Sequence, residues 1–164
     1  TNGQEPDMIQ KLEDEDALPT QLYLSTNAAD YQSFLKINRP RYDDSWERWN
    51  RTLKMLSTLG TRTVLRITLI RGYNDDEEMI PAFASLLQKS NVHFVEIKSY
   101  MHIGRSTNRL EHSDMLEMDE VRSFADKLVQ ENNAFTVMDE SEISRIVILQ
   151  NKKRFIDRFI PAYC

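Results

Sequence analysis

The chain has 164 residues, 40% of them hydrophobic and 29% charged, with a formal net charge of −5. That is enough for one domain with a sizeable core, and no apolar run reaches the roughly 18–20 residues that span a bilayer. A net acidic chain is not one whose whole surface grips nucleic acid, although base gathers at 105–109 and 152–158 against acid at 13–16 and 75–78.

The start, TNGQEPDMIQ, has neither the basic nor the apolar region of a secretory signal. Thr1-Asn2-Gly3 reads as a turn with no element before it, so we expect a fragment that begins just after a strand. The single cysteine, Cys164, is the last residue and allows no internal disulfide, which suits a cytoplasmic origin.

Residues 6–16 read as a short helix, with Pro6 in the first turn and Met8, Ile9 and Leu12 near one face. A strand is expected at 20–28, then a helix over 31–38 that Asn38-Arg39-Pro40 ends. In 44–59, Trp46, Trp49, Leu53, Leu56 and Leu59 recur at helical spacing, and Gly60 supplies the stop. A strand at 62–71 follows. Asn74 or Asp75 is expected to cap a helix reaching about Gln88, with Asp76, Glu77 and Glu78 in its first turn. Further strands are expected at 93–101, 135–138 and 143–149, and a helix at 119–130.

Strands alternate with helices, and nearly every strand is apolar on both faces. The expected fold class is therefore α/β: a parallel sheet covered by helices on both sides, barrel-like, with its N-terminal strands missing. Residues 1–150 form its main part and 151–164 a basic tail.

The segment FVEIKSYMHIGRSTNRL (94–110) places a strand directly before a polar, cationic loop, as at the mouth of a parallel α/β barrel. Side chains alternate along a strand, so Arg66 and Thr68 share a face, as do Glu96, Lys98 and Tyr100. Inward-facing, they form either a polar pocket for a charged ligand or an Arg66–Glu96 pair that satisfies itself. Ser25 and Asn27 suit a ribose or carboxylate, and suit a turn equally. Arg105, Asn108 and Arg109 suit phosphate contact or a solvated loop. His93, His102 and His112 lack metal-ligand spacing, so no metal site is expected, and there is no G-x-S-x-G, Walker or G-x-G-x-x-G motif.

The segments PTQLYLSTNA, WERWNRTLKML, TRTVLRITLIRGYN, FVEIKSYMHIGRSTNRL and ESEISRIVIL together resemble the tRNA 4-demethylwyosine synthases, radical S-adenosylmethionine enzymes of wybutosine biosynthesis. The resemblance covers roughly residues 1–150. It implies the later portion of a partial (β/α) TIM-like barrel. It also implies a lyase-class tRNA modification, in which N1-methylguanosine beside the anticodon of tRNA-Phe and pyruvate give 4-demethylwyosine. The implied cofactors are S-adenosylmethionine and a 4Fe-4S cluster, with an electron donor that in some family members is a flavodoxin-like domain on the same chain. No CxxxCxxC loop is present here, so the cluster ligands, and a lysine associated with pyruvate, are expected outside this chain, which alone would be inactive.

Carried over by position, the resemblance places Ser25 near the ribose or methionine part of S-adenosylmethionine, and Asn27 beside it where the family varies. Arg66 and Thr68 would line the cofactor carboxylate or substrate side, with Glu96 and Lys98 on the substrate side. Tyr100 and Met101 would lie near the adenine or target base. Arg105, Asn108 and Arg109 would meet tRNA phosphates at the mouth. Glu140, Ser144 and Arg145 match a family string without an assigned role. The alternatives are a non-catalytic, barrel-derived tRNA-binding module or another radical S-adenosylmethionine enzyme.

Overall fold

The structure is a computed structural model and describes residues 1–160; Cys164 and the end of the expected tail lie outside the described residues. Five strands form one sheet in the order β1-β2-β3-β5-β4: β1 Gln21–Ser25, β2 Arg62–Leu69, β3 Phe94–Ser99, β4 Phe135–Ser141 and β5 Ile146–Asn151. The helices are α1 Pro6–Asp14, α2 Tyr31–Asn38, α3 Ser45–Met55, α4 Ile80–Ser90 and α5 Met118–Glu131. Among the described residues no helix is long and apolar enough to cross a membrane.

The mixed α/β class holds, but the sheet is not wholly parallel. β1, β2 and β3 are parallel, whereas β5 runs antiparallel to both β3 and β4. Only residues 142–145 separate β4 from β5, which is hairpin length, while a parallel crossover needs about a dozen residues. Ile143, expected in a strand, is instead 98% exposed at the hairpin tip, and Arg145 turns the chain with a positive φ of 50°.

Helices cover one face of the sheet rather than two. Leu24, Leu65, Ile67, Leu69, Val95, Ile97, Val147 and Leu149 join the helical residues in one core. Alternate positions, Tyr23, Ser25, Arg66, Thr68, Lys98, Ile146 and Ile148, are half-buried on the opposite face. This open face carries the polar strand residues.

Local chemistry explains the element boundaries. On α3, Trp49, Thr52 and Leu53 are buried, with Trp46 stacked on Trp49 at 5.3 Å and Phe34 of α2 edge-on to Trp46 at 5.2 Å. On α5, Val121, Phe124, Ala125 and Leu128 face the core, Phe124 against Phe83 of α4. The helix expected from Asn74 starts later, because the Asn74 amide is used inside its own turn. Asp76 caps a 3-10 turn, Glu77–Met79, and Pro81 in the first turn of α4 lacks only an N–H that has no helical partner there.

Asp30 caps α2 by accepting the Ser33 N–H at 2.9 Å. Asp30→Ala is expected to lower stability by about 1 kcal/mol, read as a lower urea midpoint at unchanged m-value.

The N-terminus and residues 152–160 both lie against the sheet. Thr1 bridges the outer edge of β1, donating to the Tyr23 carbonyl at 2.8 Å and accepting the Ser25 N–H at 3.0 Å. Gly3 next to it has φ +75°, and a Cβ there would come within 2.7 Å of Leu24. The described part of the expected basic tail is not free. Arg154 donates to the carbonyls of Leu56, Leu59 and Asn91 at 2.8, 3.1 and 3.0 Å. Arg62 donates to the carbonyls of Asp157 and Arg158 at 2.5 and 2.8 Å, and Arg158 pairs with Asp139. Residues 152–160 therefore close the N-terminal end of the open face, where Val64 and Phe94 are buried.

Candidate functional site

The open face at the C-terminal ends of β1, β2 and β3 brings five of the eleven expected residues together: Ser25, Arg66, Thr68, Glu96 and Lys98. Parallel register sets Arg66 beside Glu96 and Thr68 beside Lys98, and Ser25 beside Arg66. Arg66 grips Glu96 with two donors, Nε to Oε1 at 2.7 Å and Nη2 to Oε2 at 3.3 Å. The same guanidinium lies 4.4 Å above the Tyr23 ring. The Glu96 side chain is only 9% exposed and that of Arg66 40%. The Arg66–Glu96 pair thus satisfies itself, and it sits within a polar face.

The remaining groups on that face are not spent on protein. Among the described residues the Ser25 and Thr68 hydroxyls, the Lys98 ammonium and Nη1 of Arg66 form no hydrogen bond with the chain, and each of these residues is half-buried. Two hydroxyls and an ammonium within three neighbouring strand ends suit a carboxylate or hydroxyl-rich ligand.

Asn27 is engaged with the protein itself. Its Oδ1 accepts the Thr68 N–H at 3.3 Å and its carbonyl accepts from Asn74 at 2.8 Å, so it holds the end of β2. Asn74, fully buried, completes that bracket. It accepts the Ile70 N–H at 2.6 Å and donates to the Asn27 and Thr68 carbonyls at 2.8 Å each. Gly-Tyr-Asn in the sequence signals a turn, but not that the asparagine ties two strand ends. Sequence reasoning misses Tyr23 too, although alternation with Ser25 is enough to place it on this face.

Tyr100 and Met101 part from the cluster. Tyr100 is 5% exposed, and its hydroxyl bonds Ser106 at 3.0 Å and lies 3.2 Å from His102 Nδ1. Its partners are thus in its own loop, because β3 ends at Ser99 and the alternation stops there. Met101 is 41% exposed. The loop folds as a 3-10 turn, Gly104–Asn108, which Arg109 ends, and Arg105, Asn108 and Arg109 are all exposed. Glu140 and Arg145 take structural roles: Glu140 pairs with Arg122 at 2.8 Å, and Arg145 ties the hairpin to Glu117 and the Leu116 carbonyl. Ser144 is exposed in the turn.

The described residues contain no group of three or more His, Cys, Asp or Glu side chains placed to hold a metal ion. His93 is buried at the other end of the strands, where burial first, then Arg154 and Arg62, lower its pKa to about 4.

A five-stranded sheet with helices packed on it defines a protein of the mixed α/β class, and residues 89–151 match the family described as wyosine base formation. The resemblance to the tRNA 4-demethylwyosine synthases is shown by sequence and structure together. The chain is 43% identical over 157 residues to the S-adenosyl-L-methionine-dependent tRNA 4-demethylwyosine synthase of Methanocaldococcus jannaschii, covering 96% of this chain and 47% of that relative. Identity to the human protein of the same name is 34%, over 93% of this chain and 20% of the relative. A solved structure described as TYW1 with a lysine-pyruvate adduct bound aligns at a TM-score of 0.81 and 41% identity, over 95% of this chain and 47% of that one. The archaeal TYW1 crystal structure aligns at 0.73 and 36%, over 95% of this chain and 46% of that one. The chain thus spans about half the length of the archaeal relatives it matches, or less.

Proposed function

We propose that this chain forms the cofactor- and tRNA-facing part of a radical S-adenosylmethionine tRNA 4-demethylwyosine synthase with a partial (β/α) barrel. The alignment of 95% of the chain with a TYW1 structure at a TM-score of 0.81 carries this reading. The reaction would join pyruvate-derived carbons to N1-methylguanosine beside the anticodon of tRNA-Phe, in the cytoplasm.

The open face fits S-adenosylmethionine by the chemistry of its donors. Lys98 and Nη1 of Arg66 would hold the carboxylate, and Ser25 and Thr68 would meet the amino acid or ribose. Glu96 holds the Arg66 fork still, so that only one of its edges is offered to a ligand. Asn74 and Asn27 fix the β2 end that carries Thr68. The described residues do not fit a 4Fe-4S cluster, having no suitable ligand group, and its ligands, the pyruvate-associated lysine and the electron-donor site are assigned outside them. When bound, S-adenosylmethionine and the cluster would supply the radical chemistry. This chain's residues would bind, orient and shield.

Two substitutions test the reading in the full-length synthase. Lys98→Met and Ser25→Ala are each expected to weaken S-adenosylmethionine binding, the lysine change by about tenfold or more, and to lower 4-demethylwyosine yield in tRNA digests. Residues 1–164 alone should release no 5′-deoxyadenosine. Unchanged cofactor affinity in both variants, or 5′-deoxyadenosine from the isolated chain, would overturn it.

A further inference from the structure

A second polar feature lies beside the strand ends, on the α2 side. Lys36, Arg39 and Arg109 line a cleft of about 120 Å³ together with Ile37, Ile70, Tyr73 and Leu110. Its apolar part is built from core residues: Ile37, Ile70 and Leu110 are each 6% exposed. No aspartate or glutamate lines it. None of the three cations takes part in an ion pair among the described residues. On a chain with a net charge of −5, three cations around one cleft make a local positive field that the composition conceals, with Asp75 and Asp76 on the far side of Lys36 in the adjoining cleft.

The backbone supplies an independent observation. Arg39 ends α2 in the left-handed region, φ 46° and ψ 62°, with its N–H on the Leu35 carbonyl. Glycine is the residue that adopts this capping conformation without strain, and a long β-carbon-bearing side chain is unfavourable there. A strained arginine at a glycine position points to a use for its guanidinium. Complementing the α2 dipole does not explain the set, because one cation serves that purpose. Lys36 already sits in the last helical turn, and Arg109 Nη1 reaches the Ile37 carbonyl only at 3.5 Å. Lys36 is held in place by the Tyr73 ring, 4.5 Å below its ammonium.

We infer that this cleft takes a backbone phosphate of the RNA substrate, gripped by the Arg39 and Arg109 forks with Lys36 as a point charge. The inference rests on the tRNA reading above. It extends the phosphate-contacting edge from the Gly104–Asn108 turn to α2, so that one strand of RNA would run past Arg105 and Arg109 to Arg39. A low-dielectric floor of Ile37, Ile70 and Leu110 strengthens each charge contact there. Such contacts position the nucleic acid and carry no sequence preference.

The test is tRNA-transcript binding by the full-length protein across a salt series, with Arg39→Gly and Arg109→Ala variants. Arg39→Gly is the informative change, since glycine relieves the left-handed strain and should leave the melting temperature equal or higher. Its affinity is nonetheless expected to fall about tenfold at 0.1 M salt, and its slope of log affinity against log salt to flatten by about 1. S-adenosylmethionine affinity should stay at the parent value. If the parent binds tRNA and Arg39→Gly binds with the same affinity and slope, the phosphate cleft is wrong while the tRNA reading stands. If the parent binds no tRNA even at low salt, the tRNA reading itself fails and takes the cleft with it.

Discussion

Arg66→Ala is expected to destabilise the chain by about 3 kcal/mol, more than Glu96→Gln, which should lower stability by roughly 1 kcal/mol. The asymmetry follows from exposure. The Glu96 side chain is 9% exposed and that of Arg66 40%. Removing the arginine strands a carboxylate on the face it shares with Phe94 and with Ile148, its register partner on β5. Replacing Glu96 with glutamine keeps an acceptor for Nε and leaves the guanidinium its water and the Tyr23 ring. The partial exposure of Arg66 holds the estimate to the lower end of the 3–5 kcal/mol range typical of a broken buried pair. The double change Arg66→Met with Glu96→Met removes both charges and should recover about 2 of the 3 kcal/mol. Urea unfolding of the parent, Arg66→Met, Glu96→Met and their double variant closes a cycle that gives a coupling free energy between the two sites. A double variant no more stable than Arg66→Ala alone would mean that the pair stabilises through packing rather than charge.

The residues of that pair are legible in the amino-acid order itself, because alternation along 62–71 and 93–101 puts Arg66 and Glu96 on matching faces. What alternation does not carry is where it ends. Tyr100 continues the pattern on paper, yet β3 stops at Ser99 and the tyrosine turns to Ser106 and His102. Strand existence is readable for all five described strands, while direction is not: hydrophobic runs look alike in parallel and antiparallel neighbours, and only the short 142–145 link sets β5 against β4. In the linear chain Lys36 and Arg39 are no more than a helix and its stop. Their role as a cationic edge depends on α2 and the 104–109 segment meeting in space, across some seventy positions of sequence that no local period spans. Asn74 is similar: its three hydrogen bonds join a loop to two strand ends, and nothing in Gly-Tyr-Asn reveals them.

The second large effect is on stability against pH, and it belongs to His93. The Thr63 N–H donates to His93 Nδ1 at 3.1 Å, and the Thr63 hydroxyl lies 3.0 Å from the same atom. The fold therefore requires Nδ1 as an acceptor, a role that only the neutral ring fills. Burial lowers the pKa, and the guanidinium groups of Arg154 and Arg62 lower it further, to about 4. In the unfolded chain the ring titrates near 6.5. Between these values the unfolded state binds more protons than the folded one, so stability falls as pH drops from about 6.5 towards 4 and is flat below. The expected loss from this group between pH 7 and pH 5 is roughly 1–2 kcal/mol, discounted for residual solvent access. The carboxylates of an acidic chain add their own slope, so the measurement is a difference. His93→Asn keeps a side-chain acceptor for Thr63 without titrating in this range, and urea midpoints for both proteins at pH 7, 6 and 5 isolate the histidine. The parent should lose more stability than the variant over this span. Since Arg62 and Arg154 also hold residues 152–160 in place, a third positive charge between them should loosen this segment before the sheet opens. Equal pH dependence in the two proteins would mean that the folded ring titrates near its unfolded value, and that Thr63 and the two arginines do not hold it neutral.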